Sequence, residues 1–186
     1  MQKRVFNVLL IASRYDAFIL EEDGRIEEHI FMEYMSLNLT SPPRVTEAYT
    51  FEQAEKELQE KNYDLIIVMP AMQDANVFKK IKRLKKSYQN IPLVLLTPFS
   101  HEVSRRLAKE DLSAVDYTFS WLGNADLLLA IVKLMEDNMN LEEDVASVGV
   151  QVIIVVEDSI RFYSSILPIL YKVVLKQSQI FSTEAL

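Results

Sequence analysis

The sequence predicts an α/β protein: a (βα)5 doubly wound parallel sheet with helices on both faces. Three apolar runs of strand length, Val5 to Ala12, Leu65 to Met69 and Leu93 to Leu96, lack polar alternation, the pattern of strands covered on both sides. Segments of helical spacing lie between these runs, at Asp16 to Asn38, Phe51 to Lys61, Asp74 to Tyr88, Ser100 to Asp111 and Asn124 to Asn138. Strand and helix thus alternate five times, which implies right-handed crossovers between parallel strands.

Taken in order, the first strand is Val5 to Ala12, and Ser41-Pro42-Pro43 stops the helix that follows it. Arg44 to Tyr49 alternates and is placed at or near a sheet edge. Thr50, with Glu52 and Gln53 behind it, suits a helix start. Leu65 to Met69 forms the third strand, and Pro92 and Pro98 bracket the fourth. Ala114 to Phe119, rich in β-branched and aromatic residues, is the fifth. In open sheets of this kind ligands bind beyond the carboxyl ends of the strands, so the residues just after each strand are the ones to question.

Composition narrows the chemistry. The 186 residues carry 27 acids against 20 bases, a formal charge of -7 that disfavours nucleic-acid binding. There is no cysteine, which removes disulfides, thiolate metal sites and cysteine nucleophiles. The three glycines, Gly24, Gly123 and Gly149, are too far apart to build a phosphate-cradling loop. The first apolar run breaks at Ser13-Arg14 and no stretch reaches the roughly 20 residues of a membrane span, so the expected location is the cytoplasm, with no membrane partner.

Asn140 to Gly149 is acidic and rich in small residues, and reads as a linker. The pattern then restarts. Val152-Ile-Ile-Val-Val-Glu-Asp-Ser-Ile-Arg-Phe162 overlays Val8-Leu-Leu-Ile-Ala-Ser-Arg-Tyr-Asp-Ala-Phe18 without gaps, an internal repeat displaced by 144 residues. The expected division is 1–139, a first domain; 140–150, a linker; and 151–186, one strand and one helix (Ser159 to about Ile180) opening a second copy. Such a fragment cannot bury its own apolar face, so it either packs on the first domain or exchanges with a second chain to form a homodimer.

Five β-α units with an acidic pair after the repeated strand resemble the receiver domain of bacterial response regulators, a flavodoxin-like fold. Receivers hold Mg²⁺ on an acidic pair after the first strand and accept phosphate on an aspartate after the third. They use a Ser/Thr after the fourth strand and a Lys-Pro after the fifth. The resemblance places Ser13 and Arg14 at the acidic pair, Met69 at the acceptor, Ser120 at the lysine and Trp121 at the proline. Only the switch positions, Thr97 and Tyr117, match. Thr97 also suits a turn before Pro98, Tyr117 suits a half-buried strand aromatic, and Asp16 suits a solvated or capping residue. In the second copy Glu157 and Asp158 stand at the metal positions, so the resemblance implies Mg²⁺ only in a completed second receiver and no cofactor in the first domain.

The expected function is a non-enzymatic pseudo-receiver, a protein-interaction module of a two-component phosphorelay that meets a histidine kinase or other signalling domains. Phe18 to Arg25 and Val156 to Ser165 also resemble the front of large bacterial proteins with a phosphoenolpyruvate synthase-like module. The alternative is a phosphoacceptor whose working site lies in the second copy. A flavodoxin-like small-molecule binder is disfavoured by the missing glycine loop and the missing Asp-x-His motif. Lys79 to Lys86 puts six bases on one helix, read as a solvated face or a dock for an acidic partner; Glu21 to Glu28 is the complementary patch. Met69, Met72 and Trp121 are candidates to line a small apolar depression, with packed core or a protein-contact surface the favoured reading. His29 and His101 show no ligand spacing and predict no metal site.

Overall fold

The computed structural model describes residues 3–37 and 39–184. Five parallel strands run in the order β2-β1-β3-β4-β5: β1 (Asn7–Ile11), β2 (Arg44–Ala48), β3 (Leu65–Val68), β4 (Leu93–Pro98) and β5 (Tyr117–Trp121). The unbroken apolar runs have the predicted cause. Val8, Leu10, Leu65, Ile67, Val94 and Leu96 face one core layer, while Leu9, Ile11, Ile66, Val68, Leu93 and Leu95 face the other.

The second layer is covered by α3 (Phe51–Glu60), α4 (Val77–Ser87) and α5 (His101–Leu107), through Ala54, Leu58, Phe78, Ile81, Leu84 and Val103. The first layer is covered by α2 (Ile26–Ser36) and α6 (Asp126–Glu143), joined by α1 (Arg14–Gly24) and α7 (Ile160–Glu184). Thr50 starts α3 as expected: its Oγ1 accepts from Gln53 N at 3.1 Å and Gln53 Oε1 accepts from Tyr49 N at 3.0 Å.

The long first helix expected from Asp16 to Asn38 is two helices, and Asn38 lies outside the described residues. Arg25 breaks them with φ 39°, in the left-handed region. α1 leaves the carboxyl end of β1. α2 begins at that same end, since His29 bonds to Asp126 at the start of α6. α1 therefore stays at the carboxyl end of the sheet, and α2 makes the crossover along its face.

β5 starts three residues later than predicted. Asp116 explains the shift: its N–H donates to Leu93 O at 2.9 Å and its carboxylate accepts from Leu93 N at 2.7 Å, while Val115 N closes a turn on Leu112 O. α4 starts at Val77, not Asp74, because Asp74 is used in a turn whose carboxylate accepts from Asn76 N at 2.8 Å. α5 stops at Leu107 rather than Asp111, its exit tightened by Lys109 N to Arg106 O and Glu110 N to Leu107 O.

Two expectations for the C-terminal part are corrected. The stretch read as a linker is helical: α6 runs to Glu143 and a π-helical turn, Asp144–Val148, carries it to Gly149, whose φ of 71° ends it. Asn140 holds that extension inward, accepting from Lys3 N at 2.8 Å and donating to Lys3 O at 2.7 Å. Val152 to Val156, expected as a strand, pairs with none of the described strands; Ile154 is 82% exposed and Val156 90%. The following helix does form, and runs to Glu184 rather than Ile180.

Candidate functional site

The carboxyl ends of β1, β3, β4 and β5 bring Ser13, Met69, Thr97 and Ser120 to one end of the sheet. Adjacency is fixed by Met69 N donating to Ile11 O at 2.8 Å and by the register of Thr97 opposite Ser120. Met69 is 5% exposed, Thr97 1%, Ser120 7% and Trp121 8%. Met69 and Trp121 share one core layer with Ala12, Ala17 and Leu20, so α1 contributes apolar side chains at this end of the sheet. Met72 packs against the opposite layer, so the three residues proposed for one depression are divided.

The polar groups here are turned away from any common ligand. Ser13 caps α1: its Oγ accepts from Asp16 N at 3.1 Å and donates to the Asp16 carboxylate at 2.6 Å, so the cap is Ser13 and Asp16 supports it. Arg14 is exposed and lies over the Tyr49 ring, 5.1 Å from its centroid. Thr97 is not in a turn: β4 runs on through Pro98, and Thr97 Oγ1 donates to Phe119 O at 3.3 Å. Tyr117 is half-buried but stands at the start of β5, away from Thr97, where its hydroxyl accepts from Asn138 Nδ2 at 2.9 Å. The indole Nε1 of Trp121 is buried without a hydrogen-bond partner.

Ser120 is committed to α7. Its backbone N–H, on the outer edge of β5, donates to Ser164 Oγ at 2.8 Å, and Ser164 in turn donates to Ile160 O at 2.6 Å. Around that bond Tyr163 stacks on Phe119 with centroids 5.6 Å apart, Leu167 is buried, and the Arg161 guanidinium lies 4.7 Å from the Phe99 ring centroid. A helix laid along β5 satisfies an edge strand that would otherwise invite pairing. One face of the helix of the 151–186 segment, with Ser164 and Leu167, thus packs within one chain, while Ile166 at 44% and the run Val152 to Val156 stay exposed. A cavity of about 560 Å³, lined in part by Asp137, Val152, Val155 and Tyr171, separates the extended segment from α6 and α7.

Two polar contacts fasten α7 to α6. Tyr171 donates to Asp137 Oδ2 at 2.6 Å, and burial pushes both the tyrosine and the carboxyl above their ordinary pKa values. Lys172 Nζ lies 2.7 Å from Asp126 Oδ2 and 3.5 Å from Glu33 Oε1, while His29 Nε2 meets Asp126 Oδ1 at 2.7 Å. Burial works against the charge on Asp126 and on Lys172. Their hydrogen bond and mutual attraction outweigh it, so Asp126 sits below and Lys172 above the ordinary value. Sequence reasoning missed this group. His29 and Glu33 stand four apart on one helix, which was legible, but Asp126 and Lys172 arrive only through the fold.

Glu157 and Asp158 are exposed in the segment before α7, and Glu157 Oε1 accepts from Ser159 N at 2.8 Å. The basic run of α4 is largely answered by the domain's own acids: Lys80 by Asp74, Lys82 by Asp111, Arg83 by Glu55 and Lys85 by Asp116. Among the described residues no helix is long and apolar enough to cross a membrane.

No family model matches the sequence, and no curated protein matches it. Solved structures do match. A CheY-like response regulator receiver domain protein from Methanospirillum hungatei superposes with a TM-score of 0.53 at 16% identity, over 74% of this chain and 98% of its own. The response regulator TrrA from Thermotoga maritima, solved with Mg²⁺ and BeF, gives 0.51 at 21% identity, over 70% of this chain and 98% of its own. The signal receiver domain of an HD domain-containing protein from Pseudomonas fluorescens gives 0.51 at 15%, over 75% and 99%. At these identities the likeness shows the fold, a five-stranded α/β receiver fold, and the fold alone.

Proposed function

We propose that residues 1–139 are a pseudo-receiver: a non-catalytic signalling module that works by protein contact and is not phosphorylated at its third strand. The observation that carries this reading is the burial of Met69, Thr97, Ser120 and Trp121 at the carboxyl end of the sheet, where a phosphoryl-transfer site needs reachable carboxylates and a cation. A thioether accepts no phosphoryl group, and the nearest carboxylate after β1, Asp16, is held by Ser13. Contact surfaces are available instead. Phe31, Met32 and Met35 on α2 and Ile169 and Val173 on α7 are half-exposed or more, on helices joined by Lys172 and Glu33.

In the same reading residues 151–186 open a second receiver whose metal positions are Glu157 and Asp158, and the partners are a histidine kinase or other signalling domains. The uncovered run Val152 to Val156 supports association of two chains through this segment. Light scattering on this chain and on one ending at Gly149 checks that point: a dimer only with the segment present is expected, and two monomers would remove it.

The main reading is tested by incubating the chain with acetyl phosphate and Mg²⁺ and weighing it intact. No adduct is expected. A stoichiometric single-phosphate increment would overturn the assignment.

A further inference from the structure

We propose that His29, Glu33 and Asp126 form a divalent transition-metal site, of the zinc class, which Lys172 holds closed, and that an ion bound there releases the end of α7. One ligand atom from each of the three residues lies within 4.8 Å of the other two. His29 and Glu33 share a face of α2 one turn apart, and Asp126 opens α6, so two rigid elements carry the set. Imidazole with two carboxylates is a donor set that zinc accepts, leaving a fourth position for water. Zinc ligands at about 2.0–2.2 Å place neighbouring ligand atoms about 3.3 Å apart, so the His29–Asp126 pair must open from 2.7 Å while Glu33, on a partly exposed arm, moves in.

A second observation points to a cation at this place: one is already there. The Lys172 ammonium sits 2.7 Å from Asp126 and 3.5 Å from Glu33, using the carboxylates an ion would need. Ammonium and metal therefore exclude each other. By linkage, whatever favours the metal disfavours the seating of Lys172, to the same extent. Tyr163, Ser164 and Tyr171 hold α7 up to Lys172 and Leu175 packs against the core just beyond it, so the release is a loosening around and beyond Lys172 and not a detachment of the helix.

The test is calorimetric titration of ZnCl2 into the full chain and its variants, with Co²⁺ absorption as a spectroscopic check. Lys172→Met is expected to bind one zinc per chain about tenfold more tightly than the parent, the scale of one removed competing contact. In that background His29→Ala should abolish binding and the visible Co²⁺ band, while His101→Ala should keep both. Circular dichroism separates loss of the site from loss of the fold. Absence of zinc binding in a folded Lys172→Met, or binding that survives His29→Ala, would overturn the site. For the release, zinc added to the parent is expected to speed amide hydrogen exchange beyond Lys172; unchanged exchange with zinc bound would overturn the coupling.

Discussion

At the residue scale the informative position is Met69. Its side chain takes part in the core layer that Ala17 and Leu20 of α1 also join, so burial there is built into the packing of a whole helix. Met69→Asp is accordingly expected not to create a phosphate acceptor. A carboxylate at this 5% exposed position loses its hydration, and if it stays ionised the cost is about 3–5 kcal/mol, the scale of an uncompensated buried charge. The carboxyl would escape part of that cost by keeping its proton, so the variant should regain stability as pH falls. Urea unfolding of the two proteins at neutral and acid pH measures this, and a near-neutral effect at both would mean that the site is open. The chain does tolerate one buried ion pair, Lys133 with Glu136 at 2.7 Å, but there the spare valences are filled: Val5 N donates to Glu136 Oε1 and the Tyr34 ring lies 4.8 Å from the ammonium. The residue types gathered at this end of the sheet, Met69 and Ser120 among them, were legible in the sequence. That Thr97 bonds to Phe119 O, and that Tyr117 pairs with Asn138 far from Thr97, was not, because strand register decides both.

At the element scale the sheet was readable and the helix ends were not. Two-sided burial writes itself into sequence as unbroken apolar runs, so β1, β3 and β4 were found; β5 was misplaced because Asp116 hydrogen bonds set its start. The left-handed break at Arg25 does leave a mark, Gly24 inside the polar run Glu21 to Arg25, but helical spacing that resumes at Ile26 hid it. The segment after Asn138 looked like a linker because its residues are acidic and small, yet Asn140 ties it to Lys3 at a separation of 137 residues. α7 was read as needing cover; at the outer edge of β5 the polar part of that cover is the Ser164 hydroxyl on the Ser120 N–H, beside the Tyr163–Phe119 stack and buried Leu167. Ser164→Ala would leave the Ser120 N–H buried and unpaired, and is expected to cost about 1–3 kcal/mol in chemical denaturation. If the cost is zero, water reaches that edge and α7 is not seated as described.

At the scale of the whole molecule, α7 and α6 are coupled through a titrating contact. Burial, with smaller contributions from Glu136 and Asp144, raises the Asp137 carboxyl above its ordinary value of 3.8, although the Tyr171 hydroxyl partly stabilises the charge. In the interval between the unfolded value and the raised folded value, the folded chain binds more protons than the unfolded one. Stability must therefore fall as pH rises through that interval, and this contribution is fully present only below 3.8. Asp137→Asn keeps an oxygen for the Tyr171 hydroxyl and removes the charge, so its unfolding midpoint should lack that particular decline and should exceed the parent's at neutral pH. Because Asp137 lies on α6 and its partner on α7, the same comparison in a chain ending at Gly149 is informative. Without Tyr171 and the helix that covers it, Asp137 faces solvent and the difference between aspartate and asparagine should vanish. A difference of equal size in the shorter chain would place the origin of the shift within α6, and would detach the pH response from the docking of α7.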